Sequence, residues 1–205
     1  DYALNDVLYG TLYRDLNIKR TIVDQHFSKV LIARAGVVAN TGEENLMSMG
    51  SHADWHPQML ANQFINEQFA KAAGVRDDLM GIGCTCEINP NKEDSMLLEV
   101  SVAQLIREIF PRAPLKMTPS LRHHSQDVMS NQALDAMYNM VGLMAGQKLQ
   151  LLGTNLDSLS KDNLQDRNAS IQNAKSVFHA ARSLSYEMQF LTNGKIMRHA
   201  RTVMD

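Results

Sequence analysis

Apolar positions along the chain recur at helical spacing in some stretches and run without interruption in others, and the two kinds of stretch alternate. Residues 18–35 place Ile18, Ile22, Val23, Phe27, Val30 and Leu31 in an i, i+4 stripe ending at Gly36, which predicts a helix with a glycine stop. The apolar run at 36–39 is too short for another helix. Leu60, Phe64, Ile65 and Phe69 predict a helix over 57–73 with Gly74 as its end. LMGIGCTC (79–86) predicts a buried strand, and Asp94 or Ser95 is placed to cap a helix running through Leu98, Val102, Leu105, Ile106 and Ile109 to Pro111. PLKMT (114–118) predicts a strand. Leu134, Met137, Val141 and Met144 predict a helix that stops near Gly146. KLQLLG (148–153) reads as a strand, and Ile171, Ala174, Val177, Phe178 and Ala181 mark a last helix. Residues 2–8 form an earlier strand or its end.

Strand starts near 37, 79, 115 and 149 recur at roughly 35 to 40 residues, close to the unit length of a (β/α)₈ barrel with insertions. About five βα units result, and their alternation implies a parallel sheet with right-handed crossovers. Two α/β architectures suit this order: a small doubly wound fold, or the last part of a TIM barrel whose first strands lie upstream. No G-x-G-x-x-G opens any of the helices. Both architectures put their chemistry at the carboxyl ends of the strands.

Polar residues gather at those ends. NTGEEN (40–45) follows the second strand, Cys84, Cys86 and Glu87 the third, Thr118 and Ser120 the fourth, and Thr154, Asn155 and Asp157 the fifth; Asn5, Asp6 and Tyr9 end the first. Any one of these residues alone is best read as a solvated loop residue. Their recurrence at every strand points instead to the mouth of an active site.

Composition narrows the function. A formal net charge of -2 and the lack of a long basic block leave no electrostatic footprint for nucleic acid. No run of 18 apolar residues could span a membrane, and the first residues lack the basic and apolar regions of a signal peptide. A cytoplasmic chain is expected, with reduced thiols at Cys84 and Cys86, since i, i+2 cysteines are poorly placed for a disulfide. The thirteen methionines fall mostly at helical spacing, as core residues would. His52 and His56, at i, i+4, could chelate a metal from one helix. Adjacent His123 and His124 could not easily face the same ion. Neither H-E-x-x-H nor G-x-S-x-G occurs, which disfavours a zinc peptidase or a serine hydrolase. The chain begins at Asp1 rather than Met, as a fragment or a processed chain would.

The residues also resemble a known family. LNDVLYGTLYRDLNIKRTIVDQHFSKVL (4–31), NTGEEN (40–45), QFINEQFAKAAG (63–74), AQLIREIFPRAPLK (103–116) and DRNASIQNA (166–174) are collinear with the lysine 5,6-aminomutase α subunit. The resemblance implies that residues 1–205 are the C-terminal part of a PLP-binding TIM-barrel domain, about the last five βα units. It implies an isomerase, active only as a complete complex, that moves an amino group to a neighbouring carbon of lysine or β-lysine by radical chemistry. The cofactors implied are pyridoxal 5′-phosphate (PLP) and adenosylcobalamin. The cobalt-containing cofactor would be carried mainly by a cobalamin-binding β subunit, which would also supply the Schiff-base lysine.

Residue by residue, Tyr9 matches the family tyrosine that stacks on PLP. Arg14 matches an arginine placed to hold the substrate carboxylate. Glu44 stands where the family usually has Asp, as a partner for a substrate ammonium, and Asp157 stands where the family usually has Glu. The base-off cobalamin signature D-x-H-x-x-G is absent, since DWHPQM (54–59) has Met59 at the glycine position. The segments 46–59 and 154–163 depart from the family pattern and flank the expected site. Two other readings therefore stand beside the first: a D-ornithine 4,5-aminomutase activity, and a non-catalytic barrel that scaffolds a partner subunit.

Overall fold

The computed structural model describes residues 2–4, 17–40, 52–119, 122–152 and 164–205. Its strands are β1 (Tyr2–Leu4), β2 (Val38–Asn40), β3 (Met80–Gly81), β4 (Gly83–Cys86), β5 (Lys116–Pro119) and β6 (Leu149–Gln150). The helices are α1 (Ile18–Ala35), α2 (His56–Ala72), α3 (Ser95–Ile109), α4 (Val128–Met144), α5 (Leu164–Ala180), α6 (Leu184–Glu187) and α7 (Lys195–Met204). The predicted elements are present among the described residues, with α4 and α5 beginning several residues before the apolar positions that marked them, and residues 5–8 and 153 of the expected strands lie outside the described residues. The short α6 and the terminal α7 were not expected.

Strand order decides between the two candidate architectures. β1 pairs with β2, β2 with β3, β4 with β5 and β5 with β6, every pair parallel. β3 and β4 are one strand broken at Ile82. There the Ile82 N–H turns back to the Met80 carbonyl at 2.8 Å, while the Ile82 carbonyl accepts from the Lys116 N–H at 3.0 Å. Spatial order thus follows chain order through five strands without reversal. A doubly wound sheet reverses direction at its switch point. Strands that keep adding on the same side, each followed by a helix, build a barrel wall.

Two glycines show why the backbone takes this path. A Cβ on Gly83 would lie 1.7 Å from the Lys116 carbonyl oxygen, so only glycine lets β4 approach β5 this closely. Gly36 ends α1 with φ 67°, in the left-handed region, and its N–H reaches the Ala33 carbonyl. The core lies between the sheet and its helices, where Met59, Ile82, Val100, Val102, Ile106, Met117 and Val141 are essentially inaccessible. Met59 on α2 and Met80 and Met117 on strands are core residues, whereas the helical Met129 and Met204 are exposed.

Two helices depart from the simple pattern. The apolar stripe of α1 does not face the core: Phe27 and Leu31 are 64% and 66% exposed, and Val23 is exposed beside them. Thr21, Lys29 and Ile32 point inward instead. Periodicity identifies a helix and its two faces, but contact with the sheet selects which face is covered. Likewise Asp94 occupies the N-cap of α3 without a capping hydrogen bond, and its carboxylate pairs with Lys195 of α7. Ser95 does not cap the helix either, and its hydroxyl donates to the Asn89 carbonyl.

Candidate active site

The carboxyl ends of the strands carry Asn40 on β2, Cys84 and Cys86 on β4, Glu87 just beyond it, and Thr118 on β5, all buried. In-register pairing of Cys86 with Pro119 sets the end of β4 beside the start of the loop that follows β5. Glu87 therefore meets the side chains of that loop. Its Oε1 lies 3.1 Å from His123 Nε2 and 3.8 Å from Arg122 Nη1. A carboxylate can only accept, so His123 Nε2 carries the proton of this bond.

His124 turns the other way and pairs with Asp135 of α4 at 3.4 Å. The two adjacent histidines are thus anchored by different acids. Among the described residues no three His, Cys, Asp or Glu side chains are placed to hold a metal. Tyr138 of α4 braces this wall from behind. Its hydroxyl lies 2.7 Å from the carbonyls of both Met117 and Leu151, tying α4 to the ends of β5 and β6.

Cys84 and Cys86 are both free and buried. Burial pushes the Cys86 thiol up, and nearby Glu99, Cys84 and Glu87 push it further. It stays protonated at neutral pH, and a thiol is a poor nucleophile compared with its thiolate.

His56, noted for its spacing from His52, starts α2 and is completely buried. Its Nε2 lies 3.3 Å from Glu99 Oε1 and its Nδ1 2.8 Å from His199 Nε2. Its nitrogens are thus engaged within the protein. His199, at the far end of the sequence, gave no signal of this pairing because its element was not foreseen. Glu87 was visible as a residue at a strand end. Its partners Arg122 and His123 were not, because only pairing between β4 and β5 brings that loop to it. Tyr9, Arg14, Glu44 and Asp157 lie outside the described residues, as do Asn5, Asp6, Ser120, Thr154 and Asn155.

A separate hollow lies at the amino ends of the strands, lined by Glu67, Lys71, Asp77, Met80 and Arg112 among others. That end of a barrel serves stability rather than chemistry. Arg112 pairs there with Asp77.

A sequentially ordered parallel sheet with acids, amides, hydroxyls and imidazoles at its carboxyl ends has the layout of a barrel enzyme. Comparison with known proteins is more specific. Residues 1–205 match the family model described as the D-lysine 5,6-aminomutase TIM-barrel domain of alpha subunit. The chain is 41% identical over 205 residues to the lysine 5,6-aminomutase alpha subunit of Acetoanaerobium sticklandii, covering all of this chain and 40% of that protein. It is 40% identical over 204 residues to the corresponding subunit of Fusobacterium nucleatum subsp. nucleatum, again covering all of this chain and 39% of the relative. The chain belongs to the lysine 5,6-aminomutase α-subunit TIM-barrel family. It spans about two fifths of the length of the curated relatives it matches.

Proposed function

We propose that this chain is part of the barrel subunit of a lysine 5,6-aminomutase that uses PLP and adenosylcobalamin to move an amino group to the neighbouring carbon of lysine or β-lysine. The observation that carries this reading is family membership over the whole chain, joined to a polar rim at the carboxyl ends of sequentially ordered strands. In the family reading Tyr9 would lie against the PLP ring, Arg14 would hold the substrate carboxylate, and Glu44 and Asp157 would receive an ammonium. The planar guanidinium fork of arginine suits a carboxylate, and carboxylates suit an ammonium.

Those four residues lie outside the described part of the chain, and the described rim adds an acid of its own. Buried Glu87 Oε2 receives no hydrogen bond among them, which suits a cationic group of an amino acid. His56 is engaged by His199 and Glu99, and DWHPQM departs from the cobalamin signature. Cobalamin would therefore sit on a β subunit, which would also supply the lysine that binds PLP. When bound, the two cofactors supply the radical and the means to migrate the amino group. The residues of this chain bind the substrate, orient it and exclude water.

A second reading rests on the exchanged carboxylates. Glu44 is one methylene longer and Asp157 one shorter than the family residues they match. The distance between the groups that hold the substrate ends would change with them, and D-ornithine, one methylene shorter than lysine, would become the substrate. Co-expression of the complete α subunit with its β subunit tests both readings. Isomerisation of lysine that requires added PLP and adenosylcobalamin is expected, and preferential isomerisation of D-ornithine would favour the second reading. A complex that turns over neither substrate with both cofactors bound would mark a scaffold instead.

A further inference from the structure

Glu87 stands out among the buried charged groups. It leaves the carboxyl end of β4 with its side chain 5% exposed. His123 anchors Oε1 at 3.1 Å, and Arg122 stands 3.8 Å from the same oxygen. Oε2 is buried, and among the described residues no donor reaches it. A carboxylate oxygen removed from water without a donor is a costly arrangement, and an ammonium carrying three N–H donors relieves it. The site offers one fixed acceptor and one open acceptor on the same group. The neighbouring Cys86 thiol, held protonated, adds no competing charge. His124 is committed to Asp135 and does not compete for Glu87.

We propose that Glu87 is a specificity-determining residue that takes an ammonium of the diamino acid through Oε2, while His123 acts as a positioning residue by holding Oε1. The proposal rests on the aminomutase reading of the same rim. It adds to that reading a third acidic contact, from the third strand of this chain, that the family resemblance does not assign.

The test uses the complete α subunit assembled with its partner and loaded with both cofactors, with bound PLP quantified by absorbance. Calorimetric titration compares D-lysine with 6-aminohexanoate, which keeps the carboxylate and the terminal amine and lacks the α-ammonium. Wild type is expected to bind lysine more tightly. Glu87→Gln should weaken lysine binding by about ten- to a hundredfold and leave 6-aminohexanoate within about twofold, lowering the discrimination by about the same factor. Glu87→Asp should recover part of it. His123→Gln should produce a smaller loss of the same selective kind. Equal weakening of both ligands, or none, in Glu87→Gln with an unchanged melting temperature would overturn the proposal and mark the Glu87–His123 pair as structural. Lysine turnover by wild type together with unaltered discrimination in Glu87→Gln overturns the Glu87 role and leaves the aminomutase reading standing. Selective, Glu87-dependent lysine binding by a complex that isomerises neither lysine nor D-ornithine supports the ammonium site while sinking that reading.

Discussion

At the scale of single residues, burial of His199 makes stability depend on pH. His199 is held below the ordinary histidine range, first by burial and then by His56 beside it, with Lys92 adding to the effect and Glu99 opposing it. The unfolded chain therefore takes up this proton first as pH falls. The contribution is complete above the usual histidine value of about 6.5 and declines as pH drops toward the lower folded value. Melting curves of the complete subunit between pH 7.5 and 5 should show a decline that flattens in His199→Gln. An unchanged slope in that variant would place the titration elsewhere. Arg14 and Glu44 are the other residue-scale case. If they hold the substrate carboxylate and ammonium, Arg14→Met and Glu44→Gln should each lower kcat/KM by roughly ten- to a hundredfold with PLP retained, the loss expected for one charge-assisted hydrogen bond. Glu44→Asp should shift preference between lysine and ornithine.

At the scale of elements, close approach and helix ends matter most. Gly83 admits β5 where any side chain would strike the Lys116 carbonyl. Gly83→Ala forces the two strands apart and should cost at least about 1–3 kcal/mol, as overpacking does. Urea unfolding of the complete subunit measures this, and a loss below about 0.5 kcal/mol would mean that the strands separate freely. Arg107 of α3 ties three elements together. Its guanidinium donates to the carbonyls of Ala145 and Gly146 beyond α4 and to Ala113 before β5. Burial lowers its pKa, but a guanidinium keeps its proton in proteins, so it is a cation at a helix C-terminus, where the backbone dipole favours one. Arg107→Met keeps most of the aliphatic bulk and loses those bonds. A destabilisation of about 2 kcal/mol is expected in the same denaturation experiment.

At the scale of the whole molecule, the described strands make a wall rather than a closed barrel. β1 and β6 each pair on one side only among the described residues, and an unpaired parallel edge is a template for further pairing. The 205 residues expressed alone should therefore self-associate and fail to retain PLP after dialysis. Light scattering and absorbance report the two outcomes. A monomer with tightly bound PLP would show that the wall is self-sufficient.

Much of this organisation was legible in the residues themselves. Alternating helical and continuous apolar runs, with glycine stops at Gly36, Gly74 and Gly146, located the elements, because backbone geometry and burial impose periods that composition must follow. The collinear motifs identified the family, and Glu87 could be seen to end a strand. Chain order could not tell a barrel wall from a doubly wound sheet, because both alternate β and α. The in-order parallel pairing from β1 to β6 separated them. Nor could it foresee the outward apolar face of α1, the bond from His56 to His199, or the meeting of Glu87 with His123. Each depends on segments far apart in the chain, and only tertiary packing brings them within reach.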